Sequence, residues 1–138
     1  MKWTHCALET RKLDKTLQFY VDFCQMHVLK HRVDEGRKVI WLSCVASSGP
    51  VLVLIESKGL DCPNLVNESM LRHFGFELNS RQEVDLVYEK LLKKGIPATK
   101  PVYVDLNTGY VCMTQDPEKR WVEFSYGQDM PSKKIDSS

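Results

Sequence analysis

Residues 2–10 read as a β-strand. Trp3, His5, Ala7 and Glu9 fall on one side and Cys6 and Leu8 on the other, the period of a β-strand. The period then changes. Leu13, Leu17, Tyr20, Val21 and Cys24 recur at helical spacing, and Asp14 stands where it can cap the helix. Three strand-like runs follow at 26–33, 38–46 and 51–56, punctuated by the turn sequences Asp34-Glu35-Gly36 and Ser47-Ser48-Gly49-Pro50. The predicted order is βαβββ.

The same order returns. Residues 73–79 alternate, and Ser80-Arg81-Gln82-Glu83 is a capping box in which hydroxyl and carboxylate satisfy free amides at a helix start. Val84, Val87, Tyr88, Leu91 and Leu92 make the apolar stripe. Lys93 and Lys94 suit the negative helix end, and Gly95 supplies the stop. Strands are expected at 99–104, 110–115 and 121–126, with turns at Asn107-Thr108-Gly109 and Asp116-Pro117-Glu118-Lys119. The expected class is α+β: two βαβββ modules with curled mixed sheets, at 1–57 and 72–127, within one domain over 1–127. Residues 58–71, with Gly59, Pro63 and Asn64, read as a linker long enough to close over a site. Residues 128–138 read as a polar, loose tail.

Composition narrows the function classes. A chain of 138 residues with 43% apolar and 27% charged residues fits one ordinary core, and a net charge of +1 from scattered basic residues leaves no nucleic-acid stripe. No apolar run approaches the roughly 20 residues that span a membrane, and the N-terminus runs straight into a strand without a signal-peptide pattern. Five cysteines, an odd number with no C-x-x-C pair, fit reduced thiols in a cytoplasm.

The two modules share their chemistry as well as their pattern. Thr4-His5-Cys6-Ala7-Leu8-Glu9 opens one and Arg72-His73-Phe74-Gly75-Phe76-Glu77 the other, while Glu56 and Glu123 sit on the last strand of each. Taken singly, a strand histidine is more often an edge or core residue and a strand glutamate is usually solvated. Repetition raises the metal reading above these: His5 and Glu56 lie 51 positions apart, His73 and Glu123 lie 50. Strand parity sends Phe74, Phe76 and Leu78 to the helix and His73 away from it, so His5, Glu56, His73 and Glu123 are expected on the helix-free face of each sheet, lining a metal-binding cup. Trp3, Trp121 and Tyr110 are candidate substrate-binding rings on that face; filling a core is the commoner use of such rings.

These features resemble the vicinal oxygen chelate superfamily of glyoxalases, bleomycin resistance proteins, fosfomycin resistance enzymes and extradiol dioxygenases. The resemblance covers residues 2–127 and rests on His5-Cys6-Ala7-Leu8, Leu13-Asp14-Lys15-Thr16-Leu17-Gln18-Phe19-Tyr20, His73-Phe74-Gly75-Phe76-Glu77 and Asp116-Pro117 before Trp121-Val122-Glu123-Phe124. The chain departs from the family at Glu118-Lys119-Arg120, where an Asp-Gly-Asn type of turn is common.

The resemblance implies His5, Glu56, His73 and Glu123 as ligands of a divalent ion: zinc, nickel, cobalt, manganese or iron. Four ligands leave about two open positions, which suits lyase or isomerase chemistry of the glyoxalase I type. There a proton moves through a metal-bound enediolate of a small α-hydroxy or α-keto substrate, with Glu123 as preferred base and Glu56 second. Without Glu56 as a ligand, extradiol-type dioxygenase chemistry gains an open site. A non-catalytic binder of the bleomycin resistance type is the alternative from another class. The expected partners are a small-molecule substrate and a second copy of the chain in a homodimer, with neither nucleic acid nor membrane.

Overall fold

The opening strand is β1 (His5–Thr10). It begins three residues later than its pattern, so Trp3 stands ahead of the strand. The computed structural model describes residues 1–44, 49–58 and 69–130. The core of the linker, the C-terminal eight residues of the tail and Cys62 lie outside the described residues. The chain forms two compact units, one of residues 1–68 with 116–120, the other of residues 69–115 with 121–138.

In the first unit β1 is followed by α1 (Leu13–Cys24), β2 (Met26–Asp34), β3 (Arg37–Cys44) and β4 (Val51–Glu56). The sheet order is β1-β4-β3-β2, with β1 and β4 parallel and the other pairs antiparallel. α1 buries Leu13, Thr16, Phe19, Tyr20, Phe23 and Cys24, whereas Val21 is exposed. The buried stripe is rotated from the expected one because Phe19 and Phe23 carry more apolar area than Leu17 and Val21. Burying such a side chain contributes about 1.5–3 kcal/mol. The Phe19 ring meets Tyr20 edge-on at 5.2 Å and Phe23 at 5.4 Å. Leu42, Leu52 and Leu54 are buried on the matching sheet face.

Asp14 does not cap α1. The cap position is Lys12, which offers no side-chain bond. Glu118 does the work instead: its Oε1 accepts from the amides of Arg11 (2.6 Å) and Lys12 (3.2 Å) and from the Thr10 hydroxyl (2.9 Å). A carboxylate suits this position because a helix start carries unpaired N–H groups and partial positive charge. Two residues earlier, buried Asp116 accepts from the Tyr20 hydroxyl (2.8 Å), the amides of Glu118 and Arg120 (2.8 and 3.0 Å) and Arg120 Nη1 (3.2 Å). Arg120 Nη2 donates to the Glu9 carbonyl. Burial, reinforced by Asp116, holds the Tyr20 phenol well above its ordinary value. The turn at Asp116–Arg120 is therefore a structural tie of this unit, with Lys119 in the left-handed region at φ +63°.

The second unit contains β5 (His73–Glu77), α2 (Arg81–Lys93), β6 (Val102–Tyr103), β7 (Tyr110–Gln115) and β8 (Trp121–Tyr126). Its sheet order is β5-β8-β7-β6, again with one parallel pair, β5 and β8. The architecture is the expected α+β arrangement of two mixed four-stranded sheets and two helices, and neither sheet is closed.

Ser80 Oγ accepts the Glu83 amide at 3.1 Å, and the Glu83 carboxylate reaches back to the Asn79 amide at 2.9 Å. At the other end Ile96 N–H donates to Leu91 O and Gly95 N–H to Leu92 O, with Gly95 at φ +71°, the stop its sequence predicts. Val84 and Leu91 of α2 are buried, as are Cys112, Val122 and Phe124, and Phe76 stacks on Phe124 at 6.0 Å. The strand expected at 99–104 shrinks to two residues and a lone bridge between Ala98 and Thr114. Pro97 and Pro101 supply no amide hydrogen for a longer ladder.

Candidate functional site

The parallel pair β5–β8 sets the second unit's site. Its register places His73 beside Trp121 and Gly75 beside Glu123. Residues in register share a face, so His73, Gly75, Trp121, Glu123 and Ser125 lie on the side away from Phe74, Phe76, Val122 and Phe124. Glu123 is only 7% exposed, and a carboxylate that buried needs partners. Gln128 Nε2 donates to its Oε1 at 2.7 Å. Its Oε2 faces His73 Nε2 across 3.5 Å.

The other histidine nitrogen decides what that gap means. His73 Nδ1 lies 2.9 Å from the Met70 carbonyl, which can only accept. Nδ1 therefore carries a hydrogen, and in the neutral ring Nε2 presents its lone pair to Glu123. Two acceptors facing each other at this distance call for a positive charge between them, a proton or a cation. Two atoms bound to one zinc-like ion at about 2.0–2.2 Å stand roughly 3–3.6 Å apart, so the spacing fits a shared ion. A carbonyl on the far ring nitrogen is also the usual means of orienting a metal-binding histidine.

Trp121 Nε1 adds a second unmet need. It is buried without a hydrogen-bond partner among the described residues. Tyr110 does not join this face. It pairs with Tyr126, its hydroxyl donates to Asp85 of α2 at 2.5 Å, and Arg81 lies over its ring. Asp85 raises the Tyr110 pKa because the bond holds the phenol proton.

The parallel pair of the first unit has the same geometry and different residues. His5 pairs with Val51, Ala7 with Val53 and Thr10 with Glu56. The positional counterpart of Glu123 is thus Val53, two residues beyond the partner of the histidine in each unit. Glu56 lies five residues past Val51, roughly 17 Å along the strand, and on the opposite face, the parity of Leu52 and Leu54. The register does not bring Glu56 to His5. Its Oε2 instead accepts the Lys38 amide at 3.1 Å. His5 Nδ1 is engaged by Thr4 Oγ1 at 2.8 Å. Trp3 is 75% exposed. Among the described residues of either unit, no three His, Cys, Asp or Glu side chains gather as a metal cluster.

A cavity of about 420 Å³ opens on the helix-free face of the first unit. Val39, Val51, Val53 and Ile55 give it an apolar floor, with His5 and Thr4 on the β1 side and Arg32, Asp34 and Trp41 towards β2.

The fold has known counterparts. A family model described as the Glyoxalase/Bleomycin resistance protein/Dioxygenase superfamily matches residues 2–124. The chain belongs to this superfamily. A relative within reach is the uncharacterised protein PA2024 of Pseudomonas aeruginosa, 32% identical over 127 residues, covering 92% of this chain and 89% of that one. Among solved structures, a glyoxalase/bleomycin resistance protein/dioxygenase domain from Frankia sp. EAN1pec superposes with a TM-score of 0.74 at 20% identity, covering 93% and 98% of the two chains. The fosfomycin resistance protein FosX of Listeria monocytogenes gives 0.72 at 17% identity (94% and 95%), and the trypanothione-dependent glyoxalase I of Leishmania major 0.69 at 18% (92% and 87%). A point mutant of FosX has been seen with Mn(II) and a dihydroxypropylphosphonic acid. The superfamily thus holds metal-bound, small-molecule-binding members on this fold. No helix among the described residues is long and apolar enough to cross a membrane.

Sequence reasoning placed His73, Glu123 and Trp121 on one face, because parity alone decides that. It missed Gln128, counted as tail, and the Met70 carbonyl, counted as linker. It also missed Val53, since only the register identifies it as the counterpart of Glu123.

Proposed function

We propose that the protein is a divalent-metal-dependent enzyme acting on a small oxygen-bearing molecule, with His73 and Glu123 as the core of the metal site and His5, on sequence grounds, as the third ligand. The observation that carries this reading is the His73–Glu123 pair. His73 Nε2 and Glu123 Oε2 face each other at 3.5 Å, the spacing of two ligands on one ion, while Met70 and Gln128 hold the other atoms of the same two side chains. Glu56 drops out of the ligand set, because its face and register separate it from His5.

Two histidines and one carboxylate leave three positions open on a six-coordinate ion, one more than the four-ligand set. When bound, such an ion supplies Lewis acidity and, as iron(II), oxygenase chemistry. The ligand count puts dioxygenase-type chemistry ahead of the lyase or isomerase scheme. That scheme asks Glu123 for a free carboxylate oxygen, yet Oε1 is engaged by Gln128 and Oε2 is turned to His73. Trp121 Nε1 is the natural donor to a substrate oxygen, because a buried unpaired N–H costs about 1–3 kcal/mol until something accepts it. The free thiols Cys6, Cys24, Cys44 and Cys112 fit a cytoplasmic location, and the open edge strands β2 and β6 fit a homodimer.

Elemental analysis and calorimetry with manganese, iron(II), zinc and nickel test the site, followed by assays of catechol cleavage and hemithioacetal conversion. Expected are near-stoichiometric metal, at least a tenfold loss of affinity in Glu123→Gln and His73→Ala, and activity on the catechol side. Wild-type protein that takes up none of these ions overturns the proposal. Metal with hemithioacetal conversion alone returns the protein to the lyase class.

A further inference from the structure

We infer that the cavity of the first unit takes an elongated, apolar-bodied organic anion, with its acid group at the β2 edge. This deepens the functional reading above by naming a substrate class, and it rests on residues outside the His73–Glu123 pair. The sheet order β1-β4-β3-β2 puts His5 and Thr4 at one edge of the floor and Arg32 at the other. Three strand spacings of about 4.8 Å separate those edges, roughly 14 Å. A volume near 420 Å³ lies in the range of small-molecule pockets.

Between the edges the floor is hydrocarbon: Val51, Val53 and Ile55 of β4 and Val39 of β3. A polar-bodied ligand would lose its water there with nothing returned, so the body must be apolar. The β2 edge is cationic. Arg32 and Lys30 are paired across the ladder with Val39 and Trp41, and their charged groups lie over the Trp41 ring at 5.0 and 5.6 Å. The aromatic face fixes both cations where a ligand head would arrive. Asp34 takes one guanidinium nitrogen of Arg32 at 2.5 Å, and Lys30 has no carboxylate partner among the described residues. Glu9, on the same face, pairs with Ile55 and is the only other acid on this face of the parallel pair among the described residues. Arg32 and Asp34 of the lining offset each other, so the positive charge of the edge comes from Lys30, which stands beside the lining over Trp41, and it selects an anion. The far end of such a molecule would lie beside His5.

The test compares naphthoate with naphthamide, its neutral isostere, by calorimetry and quenching of Trp41 emission, read against Trp41→Phe. Naphthoate is expected to bind about tenfold tighter than the amide, and the doubly substituted Lys30→Gln, Arg32→Gln protein to bring the two within about twofold. Both residues are exposed, and circular dichroism checks that this variant folds. Equal binding of both probes to wild type, a preference that survives the double substitution, or no binding of either probe overturns the inference. His73→Ala separates this inference from the metal reading: it is expected to lose metal and keep the naphthoate preference. Wild-type protein that binds metal and not naphthoate refutes this inference alone; the reverse refutes the metal reading alone.

Discussion

The two units share a backbone plan and differ in what they hang on it. Each opens with a histidine on a strand that pairs in parallel with the last strand of the unit. In each, the position two residues past the histidine's partner points to the same face. In the second unit that position is Glu123, opposite Gly75. In the first it is Val53, opposite Ala7, on the floor of an apolar cavity. Main-chain hydrogen bonds fix the register whatever the side chains are, so one half can keep a His–Glu pair while the other turns to hydrocarbon. The contrast extends to the helices. α2 carries its own cap in Ser80 and Glu83, whereas α1 borrows Glu118 from a distant turn. A βαβββ plan leaves room for either solution, because an unpaired helix start needs an acceptor and does not care where in the sequence it originates.

The strongest way to test the equivalence of the units is to build the missing carboxylate. Val53→Glu is expected to cost about 3 kcal/mol without metal, since Val53 is 5% exposed and the new charge is buried. With a divalent ion the variant should recover, showing a larger metal-induced rise in melting temperature than wild type. A metal response no larger than that of wild type would mean that matching register does not make matching sites.

The caps come next. Glu118→Ala removes acceptors from two amides and a hydroxyl and is expected to cost about 2 kcal/mol, against about 1 kcal/mol for Ser80→Ala, by urea denaturation. The reverse order would show that α1 finds its stabilisation elsewhere.

The smallest effect is with pH. Burial raises the Tyr20 phenol and the Cys24 thiol of the first unit and pushes the Cys112 thiol of the second up to about 11 from an ordinary 9.0. Each group keeps its proton longer when folded than when unfolded. Its contribution is therefore fully present below the unfolded pKa and is lost as pH rises through and beyond it. The urea midpoint should hold to about pH 8 and fall from about pH 9 upward, with Tyr20→Phe flattening the upper part of the decline. An unchanged slope in that variant would remove Tyr20 from the account.

Much of the fold was written in local pattern. Strand-like runs between turn residues placed β2, β4, β7 and β8 to within a residue, alternation placed β5, and Ser80, Glu83 and Gly95 marked the ends of α2. Parity put His73, Trp121 and Glu123 together. Counting residues between histidine and glutamate failed in the first half. Equal separation along a chain does not imply equal separation on a sheet when the intervening strands and turns differ in length. Tyr110 was placed on the wrong side because its face depends on its pairing with Tyr126.

The sequence by itself determined the elements, their order, the duplicated plan and the helix-free faces, because these depend on the two- and 3.6-residue periods that neighbours along the chain impose. Only the tertiary structure decided which residue stands beside which. Register made Val53, and not Glu56, the counterpart of Glu123; Gln128 and the Met70 carbonyl came to hold the His73–Glu123 pair; and a turn more than a hundred residues away closed the start of α1. Hydrogen bonds between strands and across long loops settle such pairings, and their geometry leaves no local trace in the chain.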